Sequence, residues 1–206
     1  MSLLKYITAA LTFIILIGFG QVDAKASQLL KEGSAGSEVT FVQDFMKKLG
    51  YFETETTGYY GPVTANAIRE FQNDFGLKAD GIVGGETANM IYNVDTMAHI
   101  VNGEARGESY EGQVAVAAVI LNRIESNDFP NAISQVIYQR NAFTAINDGQ
   151  YRLLPGSSSY QAVKDAFLGW DPTGGAVYYY NPSLATDNWI FTRTVIKQIG
   201  SHTFAY

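Results

Sequence analysis

The sequence predicts an α+β, mainly helical protein: a three-helix unit, then a larger helical region carrying a small β-sheet. Three observations predict it. Apolar residues recur at three- and four-residue steps through most of the chain, the spacing of one helix face. The motif Gly61-Pro62-Val63-Thr64-Ala65-Asn66-Ala67-Ile68 returns as Gly84-Gly85-Glu86-Thr87-Ala88-Asn89-Met90-Ile91, with Gly, Thr, Ala, Asn and Ile in register. One aromatic run, Ala176-Val177-Tyr178-Tyr179-Tyr180, is β-rich and stops at the turn signal Asn181-Pro182.

At the N-terminus Lys5 precedes an apolar stretch, residues 7–19, broken only by Thr8, Thr12 and Gly18. Val22-Asp23-Ala24 then supplies small residues where a signal peptidase reads. A cleaved secretory signal is expected over residues 1–24. A retained anchor is the alternative, but a span needs about 20 apolar residues and a charged cluster behind it. No stable membrane span is therefore expected after processing.

The first unit is expected over residues 25–94. Its opening helix carries Val39, Val42, Phe45, Met46 and Leu49, and Gly50 ends it. Each repeat copy reads as a turn, a cap and a helix: Gly makes the turn, Thr64 or Thr87 caps backbone N–H groups, and Ala and Ile begin the apolar face. Ile68, Phe71 and Phe75 continue the second helix. A unit of about 65 residues stands near the lower limit for folding unaided.

The second unit is expected over residues 95–206, with only Asn93-Val94-Asp95 as a junction. Residues 96–104 read as helix, interrupted by Arg106-Gly107-Glu108-Ser109. Residues 110–124 form the next, with Val114, Ala117, Ala118 and Leu121 on one face. Pro130, Gly149 and Pro155-Gly156 mark loops. Residues 159–170 form a further helix with Val163, Ala166, Phe167 and Trp170 inward. Gly174-Gly175 leads into the aromatic strand, and residues 199–204 supply a partner strand.

Composition narrows the function. An apolar content of 47% with 13% aromatic residues excludes general disorder. The formal net charge of −6, with no long basic run, excludes nucleic acid as a partner. The absence of cysteine excludes disulfides, thiolate metal sites and cysteine nucleophiles.

Glu104 is the candidate acid. It ends an apolar helix bearing Met97, Ile100 and Val101. A carboxyl group set against apolar neighbours retains its proton more readily and can donate it to a glycosidic oxygen. On spacing alone, a solvent-facing helix-end glutamate stays open. Glu108 is the rival carboxylate, one turn away if the helix were unbroken; Gly107 argues otherwise, and a role at the dipole of the following helix is expected, as for Glu111, with Glu108 also a candidate substrate-binding residue. Asp148 and Asp187 are candidates for a second carboxylate only by their place in loops. In a strand Tyr178 and Tyr180 share one face and Tyr179 takes the other. Core packing accounts for at least one of them, and Tyr179 or Tyr180 is a candidate sugar-stacking wall. Thr144, in a loop, is a candidate to hold an acetamido group or to orient Glu104. His99 and His202, with Glu104, would be a bare minimum for a zinc amidase, but no metal-binding motif surrounds them. No metal or cofactor is expected.

Two resemblances add to this. Val39 and Gln43, Leu49-Gly50-Tyr51, Gly58-Tyr59-Tyr60-Gly61-Pro62-Val63-Thr64, Ala67-Ile68, Phe71-Gln72 and Asp80-Gly81-Ile82-Val83-Gly84 with Thr87 resemble the peptidoglycan-binding type 1 module. The second region resembles the spore cortex-lytic family of cell-wall hydrolases. The resemblance rests on the stretch from Asn102-Gly103-Glu104-Ala105-Arg106-Gly107-Glu108 to Asn122-Arg123, on Asn141-Ala142-Phe143-Thr144-Ala145-Ile146 with Asp148-Gly149, on Gly174-Gly175 through Asn181-Pro182, and on Ile199-Gly200 before His202-Thr203-Phe204. It implies a lysozyme-like catalytic core that cleaves the glycan strands of spore cortex peptidoglycan during germination. The implied chemistry is that of a lytic transglycosylase, one acid/base glutamate, matched by Glu104, leaving 1,6-anhydromuramic ends. It also implies a secreted, cortex-located enzyme, muramic δ-lactam as a candidate feature of its substrate, and a candidate regulatory partner protein in the dormant spore. An amidase cutting the stem peptide and a non-catalytic wall-binding protein stay open as alternatives. The family often carries a longer linker between its modules; so short a junction here predicts that the two units pack together.

Overall fold

The computed structural model describes residues 29–206, so the stretch read as a secretory signal lies outside the described residues. Among the described residues seven α-helices come first: α1 (Ser37–Lys48), α2 (Pro62–Asp74), α3 (Gly85–Ala105), α4 (Tyr110–Glu125), α5 (Ile133–Ile137), α6 (Thr144–Asp148) and α7 (Ser157–Phe167). Three strands, β1 (Tyr178–Tyr180), β2 (Val195–Ile199) and β3 (His202–Ala205), form an antiparallel sheet in the order β1-β3-β2. The α+β, mainly helical class is as the apolar periodicity predicts.

The internal repeat encodes a pair of glutamine clasps. Thr64 and Thr87 are not caps: Gly61 and Gly84 hold the N-cap positions, and both threonines are buried inside their helices. Gln43 Nε2 donates to Thr64 Oγ1 at 2.9 Å and to Tyr59 O, while its Oε1 accepts from the backbone of Thr57 and Gly58. Gln72 repeats the pattern one helix later. Its Nε2 donates to Thr87 Oγ1 at 3.0 Å and to Ile82 O, and its Oε1 accepts from Gly81 N at 2.8 Å. Each glutamine thus satisfies the backbone of the loop that follows its own helix, which a side-chain cap could not do from within the next helix. Gly81, at φ 73°, lies so close to Ala65 O and Arg69 that a Cβ would collide.

The junction at residues 93–95 lies within α3, so the helix after the second repeat and the helix leading to Glu104 are one. The reason is local. Between Gly85 and Gly103 there is neither glycine nor proline to stop a helix, and Val94, Met97, Ile100 and Val101 are all fully buried. The two halves share one apolar core. α7 of the second half lies against α1. Tyr160 OH donates to Asp95 Oδ1 at 2.6 Å, Gln161 Nε2 to Lys48 O at 2.9 Å, and Lys164 Nζ to Leu49 O at 3.3 Å. The Phe45 and Tyr160 rings meet edge to face at 5.8 Å, and the tilted rings of Phe75 and Phe167 lie 4.8 Å apart.

The partner strand expected over residues 199–204 is β3, which begins at His202 and pairs with β1, while Ile199 ends β2. Gly200 turns the chain at φ 56°, and β3 follows it. β2 was not legible because it is an edge strand, exposed except at Ile199, with no alternation to mark it. Ala115 and Val119 of α4 pack against Ala176, Ile199 and Phe204 beneath the sheet. Trp170 points outward, 43% exposed: α7 ends at Phe167 and Gly169, at φ 95°, diverts the chain.

Candidate active site

Glu104 stands in the last turn of α3, facing α6. The two helices touch so closely at Gly103 that a Cβ there would lie 2.5 Å from Ala145 Cβ. That approach brings the start of α6 onto the carboxylate. Ala145 N donates to Glu104 Oε1 at 2.7 Å, and Thr144 Oγ1 lies 3.0 Å from Oε1 and 3.1 Å from Oε2. The setting is more polar than the apolar helix face predicts. Both donors come from the stretch beginning at Asn141, whose contact with Glu104 no helical periodicity could reveal.

β1 supplies the aromatic side of the site, and the end of α4 holds β1 in place. Asn122 Nδ2 donates to Ala176 O at 3.1 Å and Arg123 Nε to Val177 O at 2.8 Å. The Arg123 guanidinium is buried 5.2 Å from the ring centres of Phe129 and Phe143. Burial draws its pKa below the usual arginine value, opposed by Tyr179, Tyr178 and Glu104. As strand alternation predicts, Tyr179 turns inward, its ring 6.4 Å from Phe143 and 5.9 Å from Phe204, while Tyr178 meets Trp189 and Tyr180 meets Phe191. Burial, followed by the charge and hydrogen bonding of Glu104, pushes the Tyr179 phenol well above its ordinary pKa. It stays a protonated donor beside the carboxylate.

These groups open on a cavity of about 450 Å³. Glu104, Glu108, Thr144, Tyr179 and Tyr180 all line it, together with Asn141, Gln150, Asn181 and His202. Glu108 does not cap α4. Ser109 is the N-cap, its Oγ accepting from Gly112 N at 3.2 Å. Glu108 Oε2 instead accepts from Ser201 N at 3.1 Å, tying the lead into α4 to the β2–β3 turn. The side chain reaches across the cleft because Gly107 and Glu108 lie outside both helices, freeing it from the helical direction.

Asp148 turns away: its carboxylate accepts from Gln150 N at 2.9 Å and Gln150 Nε2 at 2.6 Å, the side-chain bond being the first cause of its lowered pKa. Asp187 lines a neighbouring cavity with Arg123 and Tyr178. The two histidines serve separate places. His99 Nδ1 lies 2.7 Å from Tyr151 O. His202, on β3, stands in the Glu104 cleft 5.2 Å from the Tyr179 ring. Among the described residues no three His, Cys, Asp or Glu side chains converge as a metal site would require. Gln150 and Asn181 are cavity residues with no role in the sequence reading, and His202 is one that it weighs only as a metal ligand. Asn181 and His202 lie in the quoted motifs, and Gln150 falls just past Asp148-Gly149.

Residues 107–205 match the Cell Wall Hydrolase family and residues 35–91 a peptidoglycan binding domain family. The chain is 39% identical to the spore cortex-lytic enzyme of Bacillus cereus, covering 89% of this chain and 88% of that protein. It is 31% identical to the spore cortex-lytic enzyme of Bacillus subtilis over 287 aligned positions, covering 94% of each. Since this chain has 206 residues, that relative carries insertions here absent. Among solved structures, the catalytic domain of the germination-specific lytic transglycosylase SleB from Bacillus anthracis is 56% identical. It covers 55% of this chain and 93% of that one, with a TM-score of 0.53.

Proposed function

Because the chain belongs to the spore cortex-lytic enzyme family, we propose that it cleaves cortex glycan strands during germination as a lytic transglycosylase, with Glu104 as its acid and base. The observation that carries the reading is the Glu104 carboxylate, gripped by Ala145 N–H and Thr144 Oγ1 at the edge of an aromatic-walled cleft. Ala145 N–H fixes Oε1 as an acceptor, so Oε2 is the oxygen that carries the proton. Glu104 donates that proton to the glycosidic oxygen as the bond to the anomeric carbon breaks. The resulting carboxylate accepts the proton of the muramic 6-hydroxyl, whose oxygen closes on the anomeric carbon to give the 1,6-anhydro ring. Tyr179, a protonated phenol beside Glu104, supports the carboxylate form after proton transfer. Thr144 orients Glu104, and Tyr180 offers a face to the sugar. Glu108 lines the substrate path but spends one oxygen on Ser201 N–H, which leaves it poorly placed to activate water.

Residues 35–91 bind the peptidoglycan strand, and residues 1–24 direct secretion to the cell wall and cortex. Muramic δ-lactam in the cortex is a substrate feature of the same reading. Mass spectrometry of muropeptides released from cortex sacculi tests the chemistry. Anhydro ends, from strands bearing δ-lactam, are expected. Hydrated reducing ends would replace transglycosylation by hydrolysis, and free stem peptides would overturn the glycan-cleaving assignment.

A further inference from the structure

We propose that His202 is a substrate-binding residue of the Glu104 cleft, presenting an uncharged Nε2–H to an oxygen acceptor of the glycan. The inference rests on the reading of that cleft as the site of glycan cleavage. His202 is 9% exposed and lines the cavity from β3. Its Nδ1 is buried and, among the described residues, has no hydrogen-bond partner. Since Nδ1 is shut away, Nε2 is the polar edge the ring turns to the cavity.

The tautomer follows from that burial. A proton on Nδ1 would leave an orphaned buried N–H, whereas a bare acceptor is the commoner and lesser defect. A doubly protonated ring would impose the same orphan and add a buried charge. The proton therefore resides on Nε2. Glu104, Glu108 and Tyr179 face the ring. Burial lowers the His202 pKa, outweighing the opposing pull of Glu108 and then Glu104, so the ring is neutral near pH 7. A neutral donor suits an uncharged acceptor such as an acetamido carbonyl or a sugar hydroxyl. It also does not compete with Glu104 for the proton that cleavage requires.

Packing alone does not account for the imidazole. The ring stands edge to face with Tyr179 at 5.2 Å and with Phe204 at 6.3 Å, contacts that phenylalanine would make without a buried orphan nitrogen.

The test uses His202→Phe, which keeps the ring and removes the donor, and His202→Gln, which restores an N–H at similar reach. With soluble cortex glycan fragments, His202→Phe should lower kcat/KM about 10- to 100-fold while its thermal midpoint holds or rises, and His202→Gln should recover part of the activity. A second measurement is independent of how these variants fold. The chain has two histidines, so both rings are assignable by ¹⁵N NMR, with His99 as internal reference. In inactive Glu104→Gln protein, tetrasaccharide fragments of cortex peptidoglycan should move the His202 Nε2 signal and leave His99 still. Full activity of His202→Phe would overturn the proposal. So would an unmoved His202 signal while the Thr144 and Ala145 amides shift, a result that spares the reading of the cleft. If none of the three shifts, the reading of the cleft falls, and His202 with it.

Discussion

Adding one methyl group at Gly103 sets two effects against each other. In a helix interior alanine is favoured over glycine by about 1 kcal/mol, so Gly103→Ala should stabilise α3 on propensity alone. The new Cβ, however, would stand 2.5 Å from Ala145 Cβ, where two carbons rest at about 3.5–4.0 Å. Neither atom can rotate away, since both are fixed to backbone. α6 must retreat by roughly 1 Å, and overpacking of this kind costs about 1–3 kcal/mol. Retreat also stretches the 2.7 Å bond from Ala145 N to Glu104 Oε1 beyond hydrogen-bond reach. A misplacement of ~1 Å at reacting groups costs on the order of 10²-fold in rate. The expected outcome is a net destabilisation of up to about 2 kcal/mol with a far larger relative fall in kcat. Turbidity loss of decoated spores or cortex sacculi measures the second, and thermal melting the first. Adding Ala145→Gly removes the opposing methyl and should return most of the rate, at a cost of about 0.5–1 kcal/mol for glycine in α6. A fully active Gly103→Ala protein, or a double variant as slow as the single one, would refute the claim that this contact positions the carboxylate.

Other outcomes follow from the same geometry. Glu104→Gln should lose about 10²- to 10⁴-fold in lytic rate yet melt normally and still co-sediment with sacculi; near-normal lysis would place the acid elsewhere. Gln72→Leu should destabilise the chain by about 2–4 kcal/mol, because Gly81 N loses its acceptor and Thr87 its donor inside a closed loop; chemical denaturation reads it, and a loss below ~0.5 kcal/mol would demote the clasp. Asp171 is partly buried, which raises its pKa, but hydrogen bonds from Thr173, Asn122 and Gly175 outweigh this and hold it below the usual aspartate value. Its stabilisation is therefore present above the unfolded-chain pKa of about 3.9 and is lost as pH falls through the lower folded value. Asp171→Asn should melt earlier at pH 7 and flatten the acid limb of the melting curve; an unchanged limb would remove Asp171 from it.

What the sequence reveals depends on whether a signal is local. α1, α2 and α4 follow from apolar periodicity, because each buries a stripe that repeats every three or four residues. The unity of α3 is hidden for a different reason: its two halves carry recognisable motifs of two modules, and the edge between the motifs coincides with no break in the backbone. Thr64 and Thr87 looked like caps because they follow glycine turns. Their buried bonds to Gln43 and Gln72, 21 and 15 residues away, have no period. At the site, Glu104, Thr144, Tyr179 and Tyr180 were legible as candidates, yet their meeting was not, since α3, α6 and β1 converge only in three dimensions. Glu108 lines the cleft as a candidate site residue, but its bond to Ser201, 93 residues on, has no local signal. The place of His202 in the cleft has none either.

The unbroken α3, together with the Tyr160–Asp95 and Gln161–Lys48 bonds, has a kinetic consequence. Two modules on a flexible tether explore a volume, so one docking event can serve many bonds around it, with an effective concentration set by tether length. A shared helix leaves no such volume. On the proposed function, the wall-binding unit and the Glu104 carboxylate keep a constant offset, and a docked molecule reaches only the bonds at that offset. Clearing a strand then requires repeated release, so the dissociation rate of the wall-binding module becomes a ceiling on lysis. Tighter binding beyond that point would slow the enzyme.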